Sequence, residues 1–180
     1  MNIMTFVKIT SRAWALPILA KLHAGVPGRQ ATLLTATGAG RTAFAQSMEH
    51  LIAIGLMERN PGYGHPLRPE FRLTPAGQAA AEVASRILDA PQADEQGLLR
   101  RAWTVPVLAA LQKPSQFIEI KRNLSPITDR ALSQSLRGLE ERSWINRQVD
   151  ETARPPRPLY CAINTGATIS DIANSATLAA

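Results

Sequence analysis

The sequence predicts a mainly α chain with small β-hairpins (α+β), laid out as two tandem copies of one unit. Three observations carry this prediction: a long internal repeat, apolar residues at helical spacing in each copy, and short apolar segments around Pro- and Arg-rich stretches. The segment from Arg12-Ala13-Trp14 to Leu22 returns 89 positions later, from Arg101-Ala102-Trp103 to Leu111. At an offset of 88, Ala43-Phe44-Ala45-Gln46-Ser47-Met48 aligns with Ala131-Leu132-Ser133-Gln134-Ser135-Leu136, followed by Leu51 with Leu139 and Arg59 with Arg147. Back at 89, Arg68-Pro69-Glu70-Phe71 aligns with Arg157-Pro158-Leu159-Tyr160, and Gly77 with Gly166. A unit of about 90 residues can bury its own core, whereas solenoid repeats run to about 20–50 residues. Two domains are therefore expected, 1–91 and 92–180. Ala90 to Gln96, which has a proline and no apolar period, is the expected linker.

Within each copy the elements follow in order. Trp14, Ile18, Leu19 and Leu22 fall on one helical face, as do Trp103, Val107, Leu108 and Leu111, and both tryptophans are expected to anchor cores. Pro17 and Pro106 sit inside these patterns, so each helix should start or kink near Ala13 and Ala102. Leu33 and Leu34 fill a short second helix, and Gly38-Ala39-Gly40 makes a tight turn. A longer helix follows, its inner stripe formed by Phe44, Met48, Leu51 and Ile52. In the second copy Phe117, Ile118, Ile120 and Leu124 make the short helix, ended by Ser125-Pro126. Thr128 then caps a helix containing Leu132, Leu136 and Leu139.

After each long helix comes a short apolar segment, Gly55-Leu56-Met57 or Trp144-Ile145, then a Pro- and Arg-rich loop. A second strand-like piece returns, Glu70 to Leu73 or Leu159 to Ile163, which makes a hairpin. Thr74-Pro75 opens a closing helix in the first copy, and Asn164 or Thr165 caps it in the second. Helices, hairpin and helix in this order describe a winged helix-turn-helix.

Composition narrows the function classes. The 180 residues are 45% hydrophobic and carry a net charge of +6. A pI near 10.2 points to an acidic polymer as partner. Divided at residue 90, the halves hold 9 Lys and Arg against 5 Asp and Glu, and 11 against 9. The single Cys161 and the histidines His23, His50 and His65 show no ligand-like spacing, so neither a metal nor another cofactor is expected. Ser11, Ser47 and Ser133 lack a nucleophile-elbow context, and no carboxylate pair or phosphate-cradling loop appears, so no enzyme is expected. With one cysteine, no apolar run of about 18–20 residues and no signal-peptide layout, a cytoplasmic, nucleoid-associated protein without membrane contact is expected.

These residues resemble the HxlR family of bacterial winged-helix regulators, close cousins of the MarR regulators. That family opens on Gly-Lys-Trp-x-x-x-Ile-Leu-x-x-Leu, which Arg12 to Leu22 and Arg101 to Leu111 follow with Arg-Ala in place of the leading Gly-Lys. Its Phe-x-Glu-Leu helix is similar to Phe117-Ile118-Glu119-Ile120. Its wing ending, Pro-Pro-Arg-Val-Glu-Tyr-x-Leu-Thr-x-x-Gly, is similar to Pro155 to Gly166 and to Pro66 to Gly77. The resemblance implies a DNA-binding transcriptional regulator. Family members usually hold one such domain and dimerise, so this chain resembles a covalently fused pseudo-dimer, with a homodimer left open. A small-molecule effector of unknown identity is left open too, and an effector pocket would lie beside Trp14 or Trp103. Some relatives sense oxidants through a cysteine near the N-terminus; Cys161 does not correspond to it.

In a helix-turn-helix the second helix enters the major groove with its N-terminal residues on base edges. That selects Arg41, Thr42, Gln46 and Ser47 in the first copy, and Thr128, Arg130, Ser133, Gln134 and Arg137 in the second. Arginine pairs with both guanine acceptors and glutamine with adenine, so Arg41, Gln46, Arg130 and Gln134 are the expected readers. Arg41 aligns with Asp129 and Thr42 with Arg130, which predicts unlike half-sites. The wings offer Arg59, His65 and Arg68, then Arg147, Arg154 and Arg157, for phosphate or minor-groove contact. Repression is the expected sign, because a compact protein on a promoter blocks polymerase. The competing reading is a docking module, favoured by the acidic Asp129, Glu140 and Glu141 beside the second reading helix.

Overall fold

The structure is a computed structural model that describes residues 2–60, 70–150, 154 and 156–178. It is α-rich with small antiparallel sheets. Two compact units are present, Lys8–Arg100 and a second made of Met1–Val7 with Arg101–Ala180. The sequence reading placed the boundary near 92. The nine residues 92–100 instead stay with the first unit, where a 3-10 helix, Gln96–Arg100, buries Leu98 and Leu99. Residues 3–10, unassigned from sequence, form helix α1 (Ile3–Thr10), in which Phe6 and Ile9 are fully buried.

The first unit contains α2 (Ala15–His23), α3 (Gln30–Thr37), α4 (Arg41–Ala53), β1 (Met57–Arg59), β2 (Phe71–Leu73) and α5 (Pro75–Asp89). Pro17 is the third residue of α2, where its missing N–H would have no helical partner anyway, so the proline sets a start and no kink. α2 packs chiefly on α5, and its Leu16, Ile18 and Leu19 join Leu33, Phe44, Met48, Leu51 and Ile87 in one core. Each such side chain contributes about 1.5–3 kcal/mol by leaving water. β1 and β2 pair antiparallel with Met57 opposite Leu73 and Arg59 opposite Phe71. Thr74 caps α5, its hydroxyl accepting from the Gly77 N–H at 3.0 Å and donating to the Gly55 carbonyl at 2.7 Å.

The second unit contains α6 (Thr104–Ala110), β3 (Ser115–Gln116), α7 (Phe117–Asn123), α8 (Asp129–Glu140), β4 (Ile145–Asp150), β5 (Arg157–Ala162) and α9 (Asn164–Leu178). Its core holds Val105, Leu108, Ile120, Leu132, Leu136, Leu139, Trp144 and Ile169. β5 lies between β3 and β4, all antiparallel, so the hairpin is widened by a two-residue strand that the sequence reading missed. Such a strand is too short to leave an alternating pattern.

Two expectations need correction. Trp14 and Trp103 are only half-buried, because each is the N-cap of its helix and sits on the turn before it. The tryptophan that is buried is Trp144, at 1% exposure. Asn164 or Thr165 was expected to cap α9; Asn164 is the first residue of that helix, and its side-chain amide donates to the Ser143 carbonyl at 3.0 Å. It thereby ties the helix start to the preceding turn, as the Thr74 hydroxyl does on Gly55.

Ser143 adopts φ +55°, where the aligned Gly55 has +75°. A side chain in that left-handed conformation costs about 1–2 kcal/mol, and glycine relieves it at some entropic cost. Ser143→Gly is expected to stabilise the chain by about 1 kcal/mol, seen as a higher urea midpoint with an unchanged slope. A lower midpoint would contradict this account of the turn.

Candidate nucleic-acid interface

In the first unit the turn between α3 and α4 runs from Gly38, left-handed at φ +68°, to Gly40, the extended N-cap of α4. α4 therefore leaves the turn at its first residue, Arg41. Phe44, Met48 and Leu51 take its inner face, leaving Arg41, Thr42 and Gln46 exposed. Ser47 does not join them. It lies on the buried side at 1% exposure, with its hydroxyl donating to the Ala43 carbonyl at 2.8 Å, and is withdrawn from the set of readers. Helical geometry accounts for this: Ser47 stands three residues after Phe44, on the inward stripe.

In the second unit a capping box opens α7, with the Gln116 N–H donating to Glu119 at 2.8 Å. Thr128 caps α8 by accepting from the Ala131 N–H at 3.2 Å. Leu132, Leu136 and Leu139 face the core, and Arg130, Ser133, Gln134 and Arg137 occupy the opposite stripe, all exposed. Their spacing of three, four and seven residues keeps them on one face over two turns. An ion pair missed in the sequence reading joins the two helices: Lys121 Nζ on α7 lies 2.6 Å from the Asp129 carboxylate at the start of α8. The acidic Asp129 thus carries its own counter-charge.

The wings differ. Arg59 is exposed at the end of β1, while Arg72 is neutralised by Glu58 at 2.6 Å and Arg29 meets Glu70 at 3.8 Å. His65 and Arg68 lie outside the described residues. On the second wing Arg147, Arg154 and Arg157 are exposed, and the Arg157 guanidinium also donates to the Gln116 side chain at 3.4 Å. That bond holds the wing strand to the start of α7. Counted by compact unit, each holds ten Lys and Arg against seven Asp and Glu, so the two are equally basic.

Each N-cap tryptophan lines an open cleft. Trp14 and Arg100, its guanidinium 5.0 Å over the indole, bound one of about 320 Å³. Trp103 and Gln134 bound one of about 490 Å³ in the second unit. Burial pushes the Cys161 thiol pKa up, away from the thiolate that redox sensing requires. No metal-binding cluster occurs among the described residues, and no single helix there is long and apolar enough to cross a membrane.

Residues 98–177 match the family model described as HxlR-like helix-turn-helix, a class of DNA-binding folds and not of enzymes. One similar curated protein is described as an uncharacterized HTH-type transcriptional regulator of Methanothermobacter thermautotrophicus. It is 38% identical over 71 residues, which cover 39% of this chain and 53% of that protein. The chain therefore matches about half of that relative's length. No solved structure matches.

Proposed function

We propose that the chain is a sequence-specific DNA-binding transcriptional regulator that uses both winged-helix units as a covalent pseudo-dimer and represses by occupying a promoter in the cytoplasm. One observation carries this reading. Each unit exposes a polar, cationic stripe on the helix after its turn, Arg41, Thr42 and Gln46 on α4 and Arg130, Ser133, Gln134 and Arg137 on α8. A core-packed helix whose free face holds arginine and glutamine beside a basic hairpin has the chemistry for base edges and phosphates together. The match of residues 98–177 to an HxlR-like helix-turn-helix supports it for the second unit. The aligned positions of the repeat extend it to the first.

The stripes are not equivalent, and an asymmetric or imperfectly palindromic operator follows. Selection from random duplex DNA is expected to return one site with two unlike half-sites. Arg41→Ala and Arg130→Ala should each weaken that site by about 1–3 kcal/mol if they pair with guanine. Equal loss on unrelated duplexes would reduce either residue to a phosphate contact. Failure to enrich any sequence would favour the docking reading, for which the exposed Glu140 and Glu141 at the end of α8 provide an acidic surface.

A further inference from the structure

The starts of the two reading helices carry opposite charges. Arg41 is the first helical residue of α4, and Asp129 is the first of α8. The Asp129 side chain is 68% exposed and pairs with Lys121 at 2.6 Å. Stability does not call for this arrangement. An exposed ion pair contributes little, and a carboxylate at a helix start gains from the helix dipole without a lysine. Near a duplex the balance changes, because a bare carboxylate is repelled by phosphates, whereas one held against an ammonium brings no net charge and keeps oxygen lone pairs free to accept.

On the DNA-binding reading above, we propose that Asp129 selects cytosine in the half-site of α8, with Lys121 cancelling its charge. In the major groove cytosine presents the N4 amino donor and no acceptor. Guanine and thymine present acceptors that a carboxylate repels, and adenine sets its N7 acceptor beside its donor. A carboxylate therefore ranks cytosine first. Arg41 at the matching place ranks guanine first, so this one position makes the half-sites unlike.

The test uses the full chain and duplexes built on its selected site, with each of the four bases placed in turn at every position of the α8 half-site. Wild type is expected to prefer cytosine at one position by roughly 5- to 50-fold. Asp129→Ala should level that position alone and raise affinity for random duplex a few-fold. Asp129→Asn should move the preference to adenine, whose N6 and N7 an amide can bridge. Circular dichroism verifies that both variants fold. Preferences unchanged in both variants, with only thermal stability or overall affinity altered, would overturn the assignment while the regulator reading stands. No specific binding by wild type would instead defeat the regulator reading, and this assignment with it.

Discussion

Gly166→Ala is expected to cost the second unit about 3 kcal/mol or more, a large part of the roughly 5–15 kcal/mol by which folded domains are stable. Gly166 is the third residue of α9 and lies against the backbone of Trp144. A Cβ there would overlap the Trp144 carbonyl and stand 2.7 Å from its carbon. The obstacle is main chain, so no rotamer change removes it. The Trp144 carbonyl is already fixed by the Ile163 N–H at 2.9 Å, and the Trp144 side chain is buried. Relief therefore requires moving α9 or the start of β4. Gly77 meets the Leu56 carbonyl in the same way in the first unit, with the Thr74 N–H donating to that oxygen at 3.1 Å. Gly77→Ala should be comparably costly. Gly97→Ala is the control, because the nearest atom to its added methyl is the end of the Arg100 side chain at 3.6 Å. Urea unfolding followed by circular dichroism reads all three. An unchanged midpoint for Gly166→Ala would show that the joint yields, and that the glycine has no packing role.

The same joint explains why so much of the architecture was legible in the residues. Gly77 and Gly166 repeat because each closing helix starts against the strand that follows a long helix, and only glycine fits there. Thr128, Gly38 and Gly40 were readable as turn and cap chemistry, and the leucines of α8 as a helical stripe. These signals are local and survive in sequence. What escaped reading depends on contacts between distant residues. The two-residue β3 exists only because β5 offers it an edge, and α1, eight residues long with Phe6 and Ile9 buried three apart, is too short a run to announce itself by period. Trp14 and Trp103 misled for a related reason: a large aromatic at helical spacing reads as core, yet one residue of offset makes it an N-cap on the surface.

For the candidate interface, sequence reasoning identified the exposed stripes but not their electrostatics. The short step from Phe44 to Ser47 was enough to turn one proposed reader inward. Pairing of Lys121 with Asp129 and of Arg72 with Glu58 spans the turn or the strands, so charge counting by sequence half could not find it. Division at Arg100 also removes the difference in basicity between halves, since both compact units hold the same excess of cations. An argument that only the first unit is basic enough for DNA loses its basis.

Salt dependence then separates one engaged unit from two. Each phosphate neutralised by Lys or Arg releases condensed counterions, so the logarithm of affinity falls with the logarithm of salt at about 0.9 per contact. If both units dock, with about three phosphate contacts each, a slope near −5 follows, and affinity should drop about a thousandfold between 50 and 200 mM salt. If a single unit docks, a slope near −3 and a loss of about 40-fold are expected. Removing the second wing's cations by Arg147→Ala and Arg154→Ala should lower the steeper slope by about one unit per true contact, without changing which sequence is preferred. Arg157 is left intact in this test because its bond to Gln116 also holds the wing to α7, and its loss would mix structure with binding. A shallow slope that these changes leave untouched would mean the second wing never meets the duplex, and the pseudo-dimer would give way to a single reading head. A slope near zero with measurable affinity would exclude phosphate contact by either unit, and the exposed stripes of α4 and α8 would then have to be surfaces for another protein.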